Sequence, residues 1–515
     1  MGALQRKHGS CRSNHSLEPA RLGVQALTRV LPIIAILLAV GCSGKNSTSS
    51  GNSQVILRMH GSNTIGAQLA PALAEAFLRT QGATEVKRIP SRPEEVVVQG
   101  VFPDSSIKSI EIAAHGSATA FSDLKGDKCD IGNASRQIKP DEVTGLSALG
   151  DMLSPASEHV LGLDGIAIIV NVSNSVQSIS KGQLQQVFGG KLTDWAEVGR
   201  PLAGPITVAR DEKSGTWDTF KALVLGNSPL TPAAKRFEDS RELSDRVADD
   251  PNGIGFIGLP YVRSAKAIAV SDSGTRAIFP TRLTIATEDY PLSRRLYLYT
   301  AANPQDGATR DFVNFALSKA GQEIVSLNGF VGQTAEPPDQ PTPPPNDAPS
   351  DYKRLTAGAE RLPLDFRFGG GSIALDNKAL YDLGRVVDFV GGPQYKGQKI
   401  LLLGFADASG SREKNCELSK ERARIVADAF SIRGITASAV TGFCSDLAVA
   451  SNATAEGREK TGGLKFGWAD DLSLKMADGN KERGLRSRIT GMRAATAAMP
   501  WFSAQEIPMR SDVAA

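Results

Sequence analysis

Short apolar strands alternate with amphipathic helices from Val55 to about Val331, an order that predicts an α/β architecture. Three strand–loop–helix junctions stand out along it. Val55-Ile56-Leu57-Arg58-Met59 runs through His60-Gly61-Ser62-Asn63-Thr64-Ile65-Gly66 into a helix that keeps Leu69, Leu73, Ala76 and Phe77 on one face. Ile110-Glu111-Ile112-Ala113-Ala114 runs through His115-Gly116-Ser117-Ala118-Thr119 into a short helix carrying Phe121 and Leu124. Ile206-Thr207-Val208-Ala209 leads through Arg210-Asp211-Glu212-Lys213-Ser214-Gly215-Thr216 to a helix with Trp217, Phe220, Leu223 and Val224 at helical spacing. Further on, Leu362 to Phe368 alternates like a strand, and a helix is predicted around Leu380 to Val390. Lys399 to Phe405 reads as a buried strand, and a helix follows from about Glu417 to Phe430.

Pro337-Pro338-Asp339-Gln340-Pro341-Thr342-Pro343-Pro344-Pro345 separates the two patterns. Each proline removes a backbone donor and fixes φ, so the run reads as a semi-rigid spacer with a reach of roughly 60 Å at about 3.1 Å per residue. The expected layout is a binding domain over 55–333, a linker over 334–354 and a smaller domain over 355–460. With 515 residues there is ample chain for separate cores. A net charge of +3, with no basic face interleaved with aromatics, gives no sign of a nucleic-acid partner. The five histidines, His8, His15, His60, His115 and His159, show no metal-ligand spacing, so neither a metal nor a cofactor is expected. No Ser–His–Asp set, Cys–His pair or carboxylate pair at a nucleotide loop is present, which points away from an enzyme.

Each junction in the first half offers backbone N–H groups at a helix start, a hydroxyl, and a glycine that permits close approach. One such junction is merely a cap. Three in one domain, with Arg210 ahead of Ser214, suit a tetrahedral oxyanion that needs several converging donors and a bidentate guanidinium. Gly61-Ser62-Asn63-Thr64, Asp130-Ile131-Gly132-Asn133-Ala134-Ser135-Arg136 and Arg210 to Thr216 resemble the motifs of PstS-type phosphate-binding proteins, as do Gln183 to Trp195 and Pro251 to Phe256. The resemblance implies two α/β lobes of the type 2 periplasmic-binding fold closing on phosphate or a related oxyanion. Its donors fall on Thr64, Ser117, Arg210, Ser214, Gly215 and Thr216, with Ser62 and Ser135 in the same loops. Some relatives place an Asp acceptor where this chain has Arg136, and an arginine cannot accept a hydrogen bond. Arg136 therefore either serves the oxyanion or pairs with a carboxylate at the lobe surface.

In the second half, Gly404-Phe405-Ala406-Asp407, Gly410, Asn415, Leu418-Ser419 and Arg422-Ala423 resemble the OmpA-like peptidoglycan-binding domain, an α+β fold. By that resemblance Asp407 grips the ammonium and Arg422 the carboxylate of diaminopimelate, with Asn415 shaping the loop. The family ends on a strand reading Asn-Arg-Arg-Val-Glu, whereas here Thr461-Gly462-Gly463-Leu464-Lys465-Phe466-Gly467 follows Lys460. Codons for the expected strand, read one nucleotide later, encode the residues observed. Residues 461–515 are accordingly expected to be an aberrant tail, translated out of frame.

At the N-terminus, Arg12, Arg21 and Arg29 precede the apolar run Val30 to Val40 and then Gly41-Cys42-Ser43, the order of a bacterial export signal. The small-small-Cys ending resembles a lipobox. It implies a signal peptide over 1–41, lipidation of Cys42, a flexible tether over 42–54, and sorting to the outer membrane. Cys416 and Cys444 share a domain, and whether they pair is open. The reading as a whole is an envelope lipoprotein that binds phosphate or a similar oxyanion and anchors to peptidoglycan. The alternative is a structural wall tether whose first half binds a protein. Held at lipid and wall, the protein would capture or sense locally rather than shuttle to a transporter; any transporter or sensor partner stays open.

Overall fold

Two long strands decide how the first half is laid out. The computed structural model describes residues 53–469 apart from 200–203, 205, 211–214, 238–239, 338–342, 370 and 396. The expected signal peptide, Cys42 and nearly all of the 42–54 tether lie outside the described residues. In the first lobe β1 (Gln54–Gly61), β2 (Glu85–Pro90), β3 (Glu95–Val101), β4 (Ile107–Ala113) and β5 (Ile131–Ala134) line up as β2-β3-β4-β1-β5, with β1 parallel to both β4 and β5. Next comes β6 (Glu158–Val170), buried along all 13 residues. The second lobe adds β7 (Ser178–Ser180), β8 (Thr207–Arg210), β9 (Lys235–Arg236), β10 (Gly253–Gly258) and β11 (Lys266–Ser271). The chain then returns through β12 (Ser293–Tyr299).

The first part of β6 pairs with β12, and its last five residues pair with β10 and, in part, β11. The strand therefore passes from one lobe to the other at Asp164-Gly165-Ile166. Only glycine fits at 165, because a Cβ there would collide with Ile285. Each lobe has its own core. Leu57, Met59, Leu73, Phe77, Ile110 and Phe312 fill the first; Ile168, Phe188, Trp195, Phe220 and Phe256 fill the second, with Phe220 stacked on Phe256 at 3.9 Å. Burial of each such side chain contributes about 1.5–3 kcal/mol, enough to hold a lobe as a body.

The smaller α+β domain is a four-stranded sheet of β13 (Glu360–Phe366), β14 (Lys399–Gly404), β15 (Ala439–Gly442) and β16 (Leu464–Ala469), ordered β13-β16-β14-β15. Helices Asn377–Val390 and Arg412–Ser431, N-capped by Asp376 and Ser411, cover it. Here the expectation of a domain ending at 460 is corrected. β16 lies centrally between β13 and β14, because Leu464, Phe466 and Trp468 alternate into the core and satisfy a strand despite the foreign wording. Residues 470–515 lie outside the described residues.

A second correction concerns the spacer. The two halves pack against each other, and Ala335 at the head of the linker enters the core of the smaller domain. Asp289 of the first half meets Arg361 at 2.7 Å and Lys465 at 3.1 Å, and Arg361 also holds Asp365 at 2.7 Å. Arg295 joins Asp376 at 2.8 Å, and Arg367 donates to the Thr287 carbonyl at 2.6 Å. Val449 reaches the core of the second lobe. Pro343, Pro344 and Pro345 line a cavity of about 550 Å³ at this junction instead of holding the halves apart.

Candidate functional site

The first cleft is assembled by close backbone approach. Gly61 sits at φ +137°, and a Cβ there would strike the Asn133 carbonyl. Glycine lets β1 end flush against β5, so the Ser62 amide donates to the Asn133 carbonyl at 2.8 Å. The Gly116 amide donates to the Gly61 carbonyl at 2.7 Å, which brings the second loop beside the first. Ser62 makes no side-chain capping bond at the helix Asn63–Gly66, and no side-chain cap precedes Ser117 at the helix Ser117–Lys125. The Ser117 and Ser135 hydroxyls lie 3.1 Å apart, and the Ser135 amide donates to Ser117 Oγ at 3.0 Å. Ser62, Thr64 and Ser135 are buried.

From the hinge strands comes a pair that the sequence reading missed. Asp164 on β6 and Arg294 on β12 are opposite one another in the antiparallel register. Arg294 Nε and Nη2 each lie 3.3 Å from Asp164 Oδ2, while Nη2 also donates to Thr64 Oγ1 at 2.8 Å. Thr219, on the helix Gly215–Phe220 of the second lobe, donates to the same Asp164 oxygen at 3.2 Å. Side chains thus run without a break from Thr64 in one lobe through Arg294 and Asp164 to Thr219 in the other. A charged residue in the middle of the apolar run Val160 to Val170 was the available signal for Asp164. Arg294 has none, because only strand register brings it there.

Helix Asn63–Gly66 packs near helix Gly215–Phe220 of the other lobe, the element that carries Gly215 and Thr216. Ser214 lies outside the described residues; Arg210 is placed by its backbone alone, at the end of β8. Arg136 does not join the group. It forms a bidentate pair with Glu142 at 2.7 and 2.8 Å and covers the Phe121 ring at 5.0 Å, which draws it to the lobe surface. Burial would raise the Glu142 carboxyl, but the Arg136 hydrogen bonds outweigh it and hold the group below its ordinary value.

In the smaller domain Gly404 and Gly442 let the helix Arg412–Ser431 press onto β14 and β15, since a Cβ at either would collide with Ser419. This seats Arg422 in the interior, 1% exposed, where it donates to the carbonyls of Phe405 at 3.1 Å, Gly462 at 2.8 Å and Ser372 at 2.9 Å. Among the described residues no carboxylate forms an ion pair with it. Burial pushes its guanidinium down to about 10, with the Asp407 charge acting the other way. Asp407 is 4% exposed and accepts from the Ser409 amide at 2.8 Å and from the Ser409 hydroxyl. Asn415 is buried nearby, at the base of the same helix. Asp407 and Arg422 are thus two buried side chains of opposite charge in one domain, with no direct ion pair between them among the described residues. Cys416 and Cys444 are disulfide-bonded, which settles their pairing and ties this helix to the loop after β15.

Two lobes bridged by β6 and β12, with hydroxyls gathered at their meeting line, define a two-lobed binding protein fused to a smaller wall-type domain. Residues 48–320 match the PBP superfamily domain and residues 367–462 match the OmpA family. The chain belongs to the PBP superfamily, with the type 2 fold, and carries a C-terminal OmpA domain. It is similar to Protein SphX of Synechococcus elongatus, 31% identical over 235 residues, which span 43% of this chain and 68% of that protein. It is also similar to Phosphate-binding protein PstS of Bacillus subtilis, 30% identical over 234 residues, 45% of this chain and 73% of that one. A third relative, Phosphate-binding protein PstS of Borreliella burgdorferi, is 25% identical over 226 residues, 42% of this chain and 78% of its own.

Proposed function

We propose that this protein is a cell-envelope receptor, not an enzyme, that binds phosphate or a similar tetrahedral oxyanion between its lobes and holds peptidoglycan through its OmpA domain. The observation that carries the reading is the continuous run Thr64–Arg294–Asp164–Thr219 beside the Ser117–Ser135 hydroxyl pair. Because Thr64 accepts from Arg294, its own proton is left to point at a ligand, and Ser62, Gly215 and Thr216 supply further donors. Arg210 and Ser214 complete the set by resemblance. The three described donors to Asp164 all reach Oδ2, and none of the described residues donates to Oδ1. A protonated oxyanion such as hydrogen phosphate brings a proton to that oxygen; sulfate brings none and meets a negative charge.

In the OmpA domain, Asp407 takes the ammonium and Arg422 the carboxylate of a diaminopimelate stem peptide, with Asn415 shaping the loop. The N-terminal pattern adds a lipid on Cys42 and an outer-membrane, periplasm-facing location. Two anchors leave the protein to capture or sense phosphate locally rather than to carry it. Isothermal titration with phosphate, arsenate and sulfate tests the first site: binding of the first two over sulfate is expected. No heat from any oxyanion would favour a structural tether whose first half binds a protein. Co-sedimentation with purified peptidoglycan, lost on Arg422→Ala, tests the second site.

A further inference from the structure

The OmpA domain docks on the hinge and touches both lobes. On the first-lobe side Asn377 donates to the Leu153 carbonyl at 2.8 Å and to Glu158 at 3.1 Å, and Arg385 donates to Gln333 at 3.2 Å. On the second-lobe side the Ser451 amide donates to Asp272 at 3.1 Å. Lobe opening about β6 and β12 moves these two sets of contacts relative to one another, so the domain cannot keep both through an opening.

The loop that touches the second lobe also builds the stem-peptide pocket. Asn452 Oδ1 accepts from the Ala408 amide, next to Asp407, at 2.9 Å. Lys460 donates to the Ser293 carbonyl at 3.0 Å, and that peptide leads directly into Arg294 of the oxyanion cleft. Two residues beyond Lys460, the Gly462 carbonyl accepts from Arg422 at 2.8 Å. Arg294 of the cleft and Arg422 of the pocket are therefore separated by one lysine bridge and a few residues of backbone.

From this juxtaposition we propose that oxyanion closure and stem-peptide binding are coupled, each tightening the other, with Lys460 as the positioning residue that joins them. The proposal rests on the two-ligand reading above. The lobe-bridging run and the docked pocket loop coexist in one conformation, so a ligand that favours either favours both. Linkage then makes the effect reciprocal.

Titration calorimetry on the whole chain tests it, with phosphate alone and then with phosphate in saturating diaminopimelate-containing stem tripeptide. The expected result is a phosphate Kd at least about fivefold lower with the tripeptide, and the same factor when the order is reversed. In Lys460→Met each ligand alone is expected to bind within about twofold of the native chain, while the mutual enhancement disappears. A native shift below about twofold overturns the coupling, as does a Lys460→Met protein that keeps the full shift. Absence of phosphate heat without tripeptide overturns the oxyanion reading itself and is distinguishable from both.

Discussion

Arg361 and Asp289, 72 residues apart, meet at 2.7 Å across the seam between the two halves of the protein. Asp289 is 5% exposed at its side chain and serves Lys465 as well. Burial acts to raise its carboxyl, but Arg361 and Lys465 prevail and hold it well below the ordinary carboxylate range. Asp289→Ala leaves two buried cations short of a partner, and a loss of about 3–5 kcal/mol is expected. Thermal unfolding followed by near-UV circular dichroism would show it; an unchanged Tm would mean that the seam contributes nothing to stability.

Acid should loosen the same seam. Burial pushes the Glu288 carboxyl up, but Arg295 and Arg367 outweigh this and hold it at about 2 in the folded protein. Its unfolded value is the ordinary 4.5, so its contribution is complete above that pH and is lost as pH falls from about 4.5 towards 2. Glu158 works in the opposite sense, because burial raises it. Asp289 shifts with Glu288, so the expected net result is a Tm that is flat from pH 7 to 5 and drops below about 4.5. A Tm that rises with acid would refute this.

Thr64→Val removes the hydroxyl that Arg294 orients. A donor to a charged ligand is worth about 1.5–3 kcal/mol, so phosphate affinity should fall roughly 10- to 100-fold. Asp164→Asn should instead narrow the preference for phosphate over sulfate, since the acceptor becomes neutral and can itself donate. Competition titrations separate the two effects. Equal selectivity in native and Asp164→Asn proteins would remove Asp164 from the site.

Arg136→Ala is the contrasting case. Its guanidinium is held by Glu142 and Phe121 at the surface, so oxyanion affinity should stay within about twofold of native. A tenfold loss would place Arg136 in the cleft after all.

Replacing Cys416 and Cys444 by serine opens a loop closed over 28 residues, which should cost about 2–4 kcal/mol in the OmpA domain. The loss should fall on the pocket too, because the Cys444 amide donates to Ser419 Oγ at 3.0 Å beside Arg422. Peptidoglycan co-sedimentation before and after mild reduction would report it.

Much of this was legible in the order of residues. The three first-half junctions announced their strands and helices because apolar spacing and glycine position are local properties. Ser62, Thr64 and Ser117 lie in those junctions and Ser135 in the Asp130–Arg136 stretch given by the family resemblance; Ser117 meets Ser135, and Arg294 reaches both Thr64 and the Ser135 carbonyl. The helix carrying Arg422 begins earlier than its apolar face suggested, at Arg412, because Ser411 caps it. Asp164 and Arg294 stayed hidden because they meet through strand register across 130 positions, which no local pattern encodes. The proline run misled: it describes its own stiffness but says nothing of the ion pairs that draw the halves together. β16 lacks the family's wording at this point, and its strand character rests instead on the alternation of Leu464, Phe466 and Trp468 into the core.

The docked arrangement has a directional consequence. In the docked conformation, whatever fixes the OmpA pocket also fixes where the mouth of the cleft between the lobes aims. Turning the murein contact turns the aperture with it, and lengthening the proline run would leave that aim unchanged.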